Sequence, residues 1–385
     1  MSERVYFDWN ATAPLRPEAR AALVATLDAA GAASSVHSEG RVARAIVEAA
    51  RTQVAALVGV EAKSVVFASG ATEANMLALA PSLVVLGKPV ACDRLLVSAI
   101  EHASVLSGGR FAADKVEQLP VTPDGVVDLD ALRLALAKGG RPLVSVMHAN
   151  NETGVIQPIA EIAALVHDAR GILHVDAAQT AGRIACDMTA LGADMLTISS
   201  HKIGGPQGAG ALIMRGAQPA TPLIRGGGQE RGFRAGTENV AAIAGFGAAA
   251  AAAAATYETA GDRMAALRDR FETLLKLTSA DVVIFGASVP RLPNTTYFAV
   301  PGLKAETAVI SFDLNAVAVS SGSACSSGKV AQSHVLAAMT ADPALSPGAI
   351  RVSLGWTTTE PDIDRLLIAW KRVAAALLKR QAHAA

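Results

Sequence analysis

The chain has 385 residues, and its 34 Lys+Arg balance its 34 Asp+Glu, so the formal net charge is zero. A chain without net charge has no overall field that gathers nucleic acid or anionic membrane, and we predict that it binds neither directly. Hydrophobic residues make up 51% of the chain, which predicts a packed core and excludes intrinsic disorder. At roughly 100–200 residues per domain, this length favours two domains, or one large α/β domain with an appendage.

The cysteine pattern indicates a reducing compartment. Cys92, Cys186 and Cys325 are widely spaced and form no Cys-x-x-Cys or Cys/His ligand pattern. This spacing argues against a disulfide scaffold and a structural zinc site, so we expect no intrinsic metal. The N-terminus lacks the apolar segment of a signal peptide. We therefore expect a cytoplasmic protein.

Short β-branched runs alternate with helical stretches up to about residue 214. The predicted strands cover residues 64–67, 94–100, 143–147, 172–175, 195–198 and 211–214, and the predicted helices cover 73–80 and 158–169. This alternation predicts βαβ units and a mostly parallel sheet that is covered on both faces, which is an α/β fold.

The longest stretch without charge lies between Asn239 and Glu258 and includes eight consecutive alanines at 248–255. Its length approaches that of a bilayer span, but alanine and glycine contribute little transfer free energy. We predict a long helix that packs against protein.

The pattern changes beyond the alanine run. We predict helices at 263–276 and 360–380 and strands at 282–285, 294–300 and 317–320. These elements predict a smaller α+β domain. The predicted large domain covers residues 14–256, and the small domain combines residues 1–13 with 257–385.

Polar groups follow several of the predicted strands. Ligands of an open parallel sheet bind at the carboxyl ends of its strands. Ser69, Gly70 and Thr72 form a turn into a helix, which suits a phosphate, although ordinary helix capping is the alternative. His102 follows the strand at 94–100, and an Asn-rich turn at 148–154 follows the next strand. Each of these two also fits an ordinary solvated loop.

Asp176 and Lys202 are more specific signals. Asp176 ends an apolar strand, where a carboxylate is costly unless it has a cationic or proton-donating partner, such as the ring nitrogen of a heterocycle. Lys202 follows a buried strand and precedes Gly204 and Gly205. A partly desolvated lysine there is a candidate amine nucleophile, and a surface lysine in a glycine loop is the alternative. With the phosphate turn and His102, these residues fit pyridoxal 5′-phosphate.

Eight motifs occur in an order that is typical of one enzyme family. They are Ser-Gly-Ala-Thr-Glu (69–73), Glu-His (101–102), His-Ala-Asn-Asn-Glu-Thr-Gly (148–154), His-Val-Asp-Ala-Ala-Gln (174–179), Ser-Ser-His-Lys (199–202), Gly-Gly-Gly-Gln-Glu-Arg-Gly-Phe-Arg-Ala-Gly-Thr (226–237), Ser-Ser-Gly-Ser-Ala-Cys-Ser-Ser-Gly (320–328) and Ile-Arg-Val-Ser-Leu-Gly (350–355). Together they resemble the cysteine desulfurases of the nitrogenase and iron–sulfur-cluster branch, from about residue 6 to residue 370. The resemblance implies a homodimeric pyridoxal-phosphate enzyme of the fold type I, aminotransferase-like class.

The resemblance also implies a role for each matching residue. Lys202 would form the Schiff base with pyridoxal 5′-phosphate, Asp176 would hold the pyridine nitrogen, and His102 would stack on the ring and move protons. Arg351 and Asn151 would hold the substrate carboxylate. The cofactor contacts that it further implies are Ala71, Thr72, Asn151, Gln179 as donor to the ring hydroxyl, Ser199, Ser200, His201, and Thr237 from the other subunit.

Cys325 would accept the sulfur of L-cysteine as a persulfide, and L-alanine would be released. The persulfide would then pass its sulfur to an acceptor protein, either an iron–sulfur scaffold or a thiolation carrier. Residues 320–328 contain only Ser, Gly, Ala and this Cys, which predicts an exposed loop. An exposed thiol is a liability unless it is used, and a tolerated unpaired cysteine is the alternative. A transient role of Cys325 as an iron–sulfur ligand also stays open. One departure is that Ala32 and Ala33 stand where the family often has Asn-Pro.

Other functions remain open on the sequence alone. One is a different pyridoxal-phosphate reaction on the same fold, such as that of a selenocysteine lyase or an aminotransferase. An aminotransferase needs no thiol at Cys325. A non-catalytic sulfur relay is a further alternative, and the intact set of Lys202, Asp176, His102 and Arg351 argues against it. The sequence does not specify the sulfur acceptor.

Overall fold

The computed structural model describes residues 4–28, 31–321 and 332–378. The helices are α1 (Pro17–Leu27), α2 (Ser38–Leu57), α3 (Ala71–Ala78), α4 (Ala103–Leu106), α5 (Leu129–Leu136), α6 (Ile159–Asp168), α7 (Met188–Leu191), α8 (Val240–Thr278), α9 (Ala305–Leu314), α10 (His334–Ala338) and α11 (Glu360–Leu377). The strands are β1 (Val5–Tyr6), β2 (Val65–Ala68), β3 (Ser82–Val85), β4 (Lys88–Ala91), β5 (Arg94–Ser98), β6 (Val116–Leu119), β7 (Pro142–Met147), β8 (Ile172–Asp176), β9 (Met195–Ser199), β10 (Gly210–Met214), β11 (Ala217–Pro219), β12 (Val283–Ile284), β13 (Thr295–Ala299), β14 (Val317–Ala318) and β15 (Ile350–Ser353).

A seven-stranded sheet forms the centre of the fold, in the order β2-β10-β9-β8-β7-β5-β6. Strands β5 to β9 pair in parallel, whereas β10 is antiparallel to both of its neighbours. The predicted α/β fold with a mostly parallel sheet is therefore confirmed, with β10 as the exception. Strands β7, β8 and β9 are buried along their whole length, which explains their unbroken apolar runs.

The carboxyl ends of the parallel strands bring the predicted site together. Asp176, the last residue of β8, lies opposite Met147 of β7 and Thr197 of β9. A 3₁₀ turn at Ser200–Lys202 continues directly from the end of β9. His102 follows β5 by four residues and is the N-cap of α4. One edge of the sheet thus carries side chains from several segments.

The alanine-rich segment belongs to α8, a helix of 39 residues. Among the described residues, α8 is the one helix whose length and composition would allow a membrane span, and 50% of its most apolar window is buried. It packs against α1 and α2. A Cβ on Gly247 would lie 2.5 Å from the Ala50 Cα, so this glycine permits the close approach of α8 to α2. The segment is therefore a helix packed against protein.

A second hydrophobic core surrounds Trp370, whose ring meets that of Phe298 edge-on at 5.3 Å. It lies beside the antiparallel sheet β12-β13-β15 and the paired strands β1 and β14. The second part of α8 contributes Phe271 and Leu275 to this core, while its first part contributes Phe246 to the core of the large sheet. A single helix thus continues through the predicted boundary at 256/257, and the domain limits stay a prediction.

Candidate active site

A cavity of about 490 Å³ lies at the carboxyl ends of the parallel strands. This volume is within the range of roughly 300–1,000 Å³ that is usual for small-molecule sites. Most of the predicted site residues line it, namely Ala71, Thr72, His102, Asn151, Asp176, Gln179, Ser199, His201, Lys202 and Arg351. The fold therefore brings together side chains that are separated by up to 280 positions along the chain.

Two of the predicted residues that the structure describes lie elsewhere. Ser200 is fully buried and does not line the cavity, and its Oγ faces Gly205. Thr237 lines a neighbouring cavity of about 200 Å³, which shares Ser69 and Gly208 with the first. Its predicted entry from a partner subunit stays a prediction. Cys325 lies outside the described residues.

The chain on either side of residues 322–331 is held next to the site. The Arg351 amide donates to the Ser320 carbonyl at 2.7 Å. On the other side, His334 Nε2 lies 2.9 Å from the Glu101 carbonyl oxygen, one residue before His102. Cys325 is therefore five positions along the chain from Ser320, whose backbone is hydrogen-bonded to that of Arg351.

The N-terminus of α3 forms one end of the cavity. Its first amides have no partner within the helix and can donate to an anion. A Cβ on Gly210 would lie 2.7 Å from the Gly70 Cα, so β10 passes this turn only with a glycine there. Glu73 also lines the cavity, but its carboxylate accepts from Arg234 at 2.8 Å and from the Ser69 amide at 2.9 Å. Its charge is thus paired.

His201 adds a neutral donor to the same cavity. Burial and, to a smaller extent, the charges of Lys202 and Arg183 lower the pKa of His201 to about 4. The ring is therefore neutral near pH 7, and its Nδ1 lies 3.1 Å from Thr12 Oγ1. Together with the Ser199 hydroxyl and the amides of α3, this ring makes a set of donors that suits a phosphate.

Lys202 projects from the 3₁₀ turn towards the N-terminal segment of the chain. Its Nζ donates to the backbone carbonyls of Asn10, at 2.5 Å, and Ala11, at 2.8 Å. Asn10 is itself fixed, because its amide donates to Ser353 Oγ at 3.0 Å and its Nδ2 to Thr295 Oγ1 at 2.9 Å. The segment after β1 therefore positions the amine. Sequence reasoning missed Asn10.

Asp176 and His102 are joined by a chain of hydrogen bonds. Asp176 Oδ1 accepts from the Ala178 amide at 2.9 Å, and its Oδ2 accepts from Asn75 Nδ2 at 2.8 Å. Asn75 also donates to Ser104 Oγ at 2.9 Å, which lies 2.9 Å from His102 Nδ1. The Ser104 amide donates to that same Nδ1 at 3.2 Å, so a neutral His102 carries its proton on Nε2. Asn75 and Ser104 were not predicted.

Glu101 is a second buried carboxyl at this edge of the sheet. Burial and, to a smaller extent, the charge of nearby Asp176 raise the pKa of Glu101 to about 8, a value that already includes the opposing effect of hydrogen bonds from Ser98 and from the Met147 amide. Near pH 7 most molecules therefore carry a proton on Glu101.

Arg351 also lines the cavity, and only 3% of its side chain is exposed. Its Nη2 donates to Asp8 Oδ1 at 2.7 Å, and its Nη1 donates to the Asn151 carbonyl at 2.9 Å. Its Nε is buried, and no described residue bonds to it. A guanidinium that lines the cavity with an unused donor suits a carboxylate ligand. Asp8, its fixed partner, was not predicted.

No group of three or more His, Cys, Asp or Glu side chains with the arrangement of a metal site occurs among the residues that the structure describes.

Comparison with known proteins identifies the family. Residues 5–366 match the sequence profile of the family described as Aminotransferase class-V. The chain is 39% identical over 384 residues to a cysteine desulfurase IscS of Dictyoglomus turgidum, covering 98% of this chain and 96% of that protein. It is 41% identical over 373 residues to a cysteine desulfurase of Cereibacter sphaeroides, covering 95% of this chain and 94% of that protein.

A solved structure agrees with these sequence relatives. The X-ray structure of a NifS-like protein from Rickettsia africae superposes with a TM-score of 0.85 at 34% identity, covering 97% of this chain and all of that one. The predicted resemblance and the predicted aminotransferase-like fold are both confirmed. This chain belongs to the class-V aminotransferase family, and its relatives there include proteins named cysteine desulfurase.

Proposed function

We propose that this protein is a pyridoxal-phosphate-dependent cysteine desulfurase, which moves the sulfur of L-cysteine to Cys325 and releases L-alanine. The observation that carries the proposal is the meeting of Lys202, Asp176 and Arg351 in one cavity. An amine, a carboxylate and a guanidinium suit the aldehyde carbon of the cofactor, its ring nitrogen and the carboxylate of an amino-acid substrate.

The residues of the cavity fit the cofactor. The N-terminus of α3, with Thr72, Ser199 and neutral His201, offers donors for the phosphate. Asp176 would hold the ring nitrogen, and its orientation is fixed by the Asn75 and Ala178 donors. Lys202 would hold the cofactor covalently. When it is bound, pyridoxal phosphate supplies an electron sink for charge that develops at the substrate Cα.

The protein side chains then have distinct tasks. Arg351 orients the substrate carboxylate, supported by Asp8. Lys202 Nζ takes the proton from the substrate Cα, and the Nε2–H of His102 donates towards the cavity. Cys325, as a thiolate, attacks the substrate sulfur.

The sulfur transfer balances without an external oxidant or reductant. The bond between the substrate Cβ and its sulfur breaks, and a new bond forms between that sulfur and Cys325 Sγ. The substrate carbon skeleton gains a proton at Cβ and leaves as L-alanine. One L-cysteine and one thiol thus give one L-alanine and one persulfide.

We also propose a sulfur acceptor, an oligomeric state and a cellular location for this protein. The relative from Dictyoglomus turgidum carries the name IscS, which supports sulfur supply for iron–sulfur cluster assembly or another thiolation, through an acceptor protein. A homodimer is proposed from the family resemblance, which implies that Thr237 reaches the cofactor site of the other subunit. A cytoplasmic location is proposed from the cysteine pattern and the N-terminal sequence.

The purified full chain tests the proposal with L-cysteine as substrate. We expect a bound chromophore in the visible spectrum, L-alanine as product, and one added sulfur on the peptide that contains Cys325, seen by mass spectrometry before reduction. L-serine in place of L-cysteine should give no alanine. A colourless protein that binds no pyridoxal phosphate, or one that makes no alanine, would contradict the function.

Arg351→Ala should raise the KM for L-cysteine by more than about tenfold, because truncating one partner of a buried charge pair costs on the order of 2–5 kcal/mol. Cofactor binding should change little. Arg351→Lys is the matched control, since it keeps the charge but loses the guanidinium fork. Its KM should lie between those of the wild type and Arg351→Ala. Steady-state kinetics measure this, and an unchanged KM in Arg351→Ala would place the carboxylate site elsewhere.

Asp176→Asn should retain the cofactor but lower turnover by at least about tenfold, because the ring nitrogen loses its ionic partner. A fall of one unit in the pKa of that nitrogen corresponds to about 1.4 kcal/mol. The new amide also places an NH₂ group against Asn75 Nδ2 or the Ala178 amide, both of which are donors. Alanine release under saturating L-cysteine is the measurement. Wild-type turnover in this variant would remove the assigned role of Asp176.

A further inference from the structure

Arg183 lies behind the cavity and contacts three segments of the site. Its Nη1 donates to Gln179 Oε1 at 2.5 Å and to Asn10 Oδ1 at 3.1 Å. Its Nη2 donates to the carbonyls of Trp9, at 2.9 Å, and Lys202, at 3.3 Å. One side chain thus ties the N-terminal segment, the turn after β8 and the lysine together.

The charge of Arg183 has no carboxylate partner among the described residues. Burial and, to a smaller extent, the charge of Arg351 lower the pKa of Arg183 to about 10. It is therefore still a cation near pH 7. Among the described residues, the charged and titratable groups that contact Arg183 or act on it are Arg351, neutral His201 and Lys202, which it meets at the backbone carbonyl. A buried cation in such surroundings is costly unless an anion joins it.

The same contact decides which way the Gln179 amide points. A guanidinium can only donate, so Gln179 must turn its Oε1 towards Arg183. Gln179 Nε2 then donates to the Asn10 carbonyl at 3.0 Å, which uses one of its two hydrogens. Because Gln179 lines the cavity, its remaining hydrogen is available to a ligand oxygen there.

We propose that Arg183 is a positioning residue of the cofactor site, which fixes Gln179 as a donor to the ring oxygen of pyridoxal phosphate. Its buried positive charge is in turn neutralised by this ring oxygen when the oxygen is deprotonated. The proposal rests on the proposed function, because it requires that cofactor. Arg183 acts through Gln179 and through its charge, and it does not line the cavity itself.

The test compares full-length wild-type protein with Arg183→Met, Arg183→Lys and a matched control, Arg94→Met. Arg94 is also buried, but it lies at the amino end of β5, at the opposite edge of the sheet, where it contacts Gly139 and Glu117. Two quantities are measured for each protein. One is the dissociation constant of pyridoxal phosphate for the cofactor-stripped chain, and the other is the pH midpoint of the change in visible absorbance of the loaded chain.

Arg183→Met should raise the dissociation constant at least about tenfold, because a buried charge-assisted hydrogen bond is lost. It should also raise the pH midpoint by about one unit or more, since a nearby cation favours the deprotonated chromophore. Arg183→Lys keeps the cation, so its midpoint should stay close to that of wild type. Without the fork its dissociation constant should still rise about threefold or more. Arg94→Met should change neither quantity.

Wild-type values of both quantities in Arg183→Met would overturn the proposal. If Arg183→Met does not fold, as judged by circular dichroism, Arg183→Lys decides, and an unchanged dissociation constant in that variant overturns the proposal. Failure of the proposed function looks different, because the wild-type chain itself would then bind no pyridoxal phosphate or make no alanine from L-cysteine.

Discussion

Cys325→Ser is expected to abolish persulfide formation and to lower alanine release by at least about a hundredfold, because a serine hydroxyl is not deprotonated near neutral pH and cannot accept sulfur as a thiolate does. Cofactor binding and the spectral response to L-cysteine should remain, since Lys202, Asp176 and Arg351 are unchanged. The measurements are alanine released per enzyme and the mass of the peptide that contains residue 325. A circular dichroism spectrum checks that the fold is kept.

The other two cysteines provide a control within the same chain. Burial raises the pKa of both Cys92 and Cys186 to about 12, and neither side chain lines the cavity. Cys92→Ala should therefore release alanine within about twofold of the wild-type rate. If Cys325→Ser still makes alanine from L-cysteine at close to that rate, Cys325 is not the acceptor. A lyase that releases sulfur directly would then be the better assignment.

The large sheet could be predicted because its strands are buried on both faces and therefore read as continuous apolar runs. The strands predicted at 143–147, 172–175 and 195–198 are observed as β7, β8 and β9, each within one residue at either end. The antiparallel direction of β10 could not be read in this way. An apolar run reports that a strand is buried but does not report its direction.

Helices α1 and α2 were not predicted, and the reason lies in their side chains. The buried face of α2 is made largely of small residues, with Ala43, Ala50 and Ala55 beside Val47 and Val54. Alanine gives a weak apolar signal, because it is common on exposed and buried helix faces alike. These two helices matter for the fold because α8 packs against both.

The main features of the site were also predictable, since its residues occupy the ends of predicted strands. The supporting residues were not. Asn75 connects Asp176 to Ser104 from within α3, and Arg183 reaches Gln179 from four residues away. A buried asparagine and a buried arginine have no apolar periodicity that reveals their position. Their partners are set by tertiary packing, which distinguishes them from the residues at strand ends.

Lys202→Ala is expected to remove the Schiff base chromophore and to lower alanine release by at least about a thousandfold, because Lys202 is the one lysine among the described residues that line the cavity. Reduction of the wild-type chain with borohydride, followed by peptide mapping, should place the pyridoxyl group on Lys202. Label on another lysine would contradict the cofactor assignment. Lys138→Ala is a suitable control, since Lys138 is exposed and pairs with Glu117.

The same substitution also has a structural effect, which a second variant separates from the chemical one. Lys202→Ala deletes two hydrogen bonds to the Asn10 and Ala11 carbonyls, so it should lower the free energy of unfolding by about 1–3 kcal/mol. Lys202→Arg can still donate to these carbonyls, so it should recover part of this stability in urea denaturation. Its guanidinium stays protonated and cannot form the Schiff base, so activity should not return. Recovery of both together would mean that Lys202 only anchors the N-terminal segment.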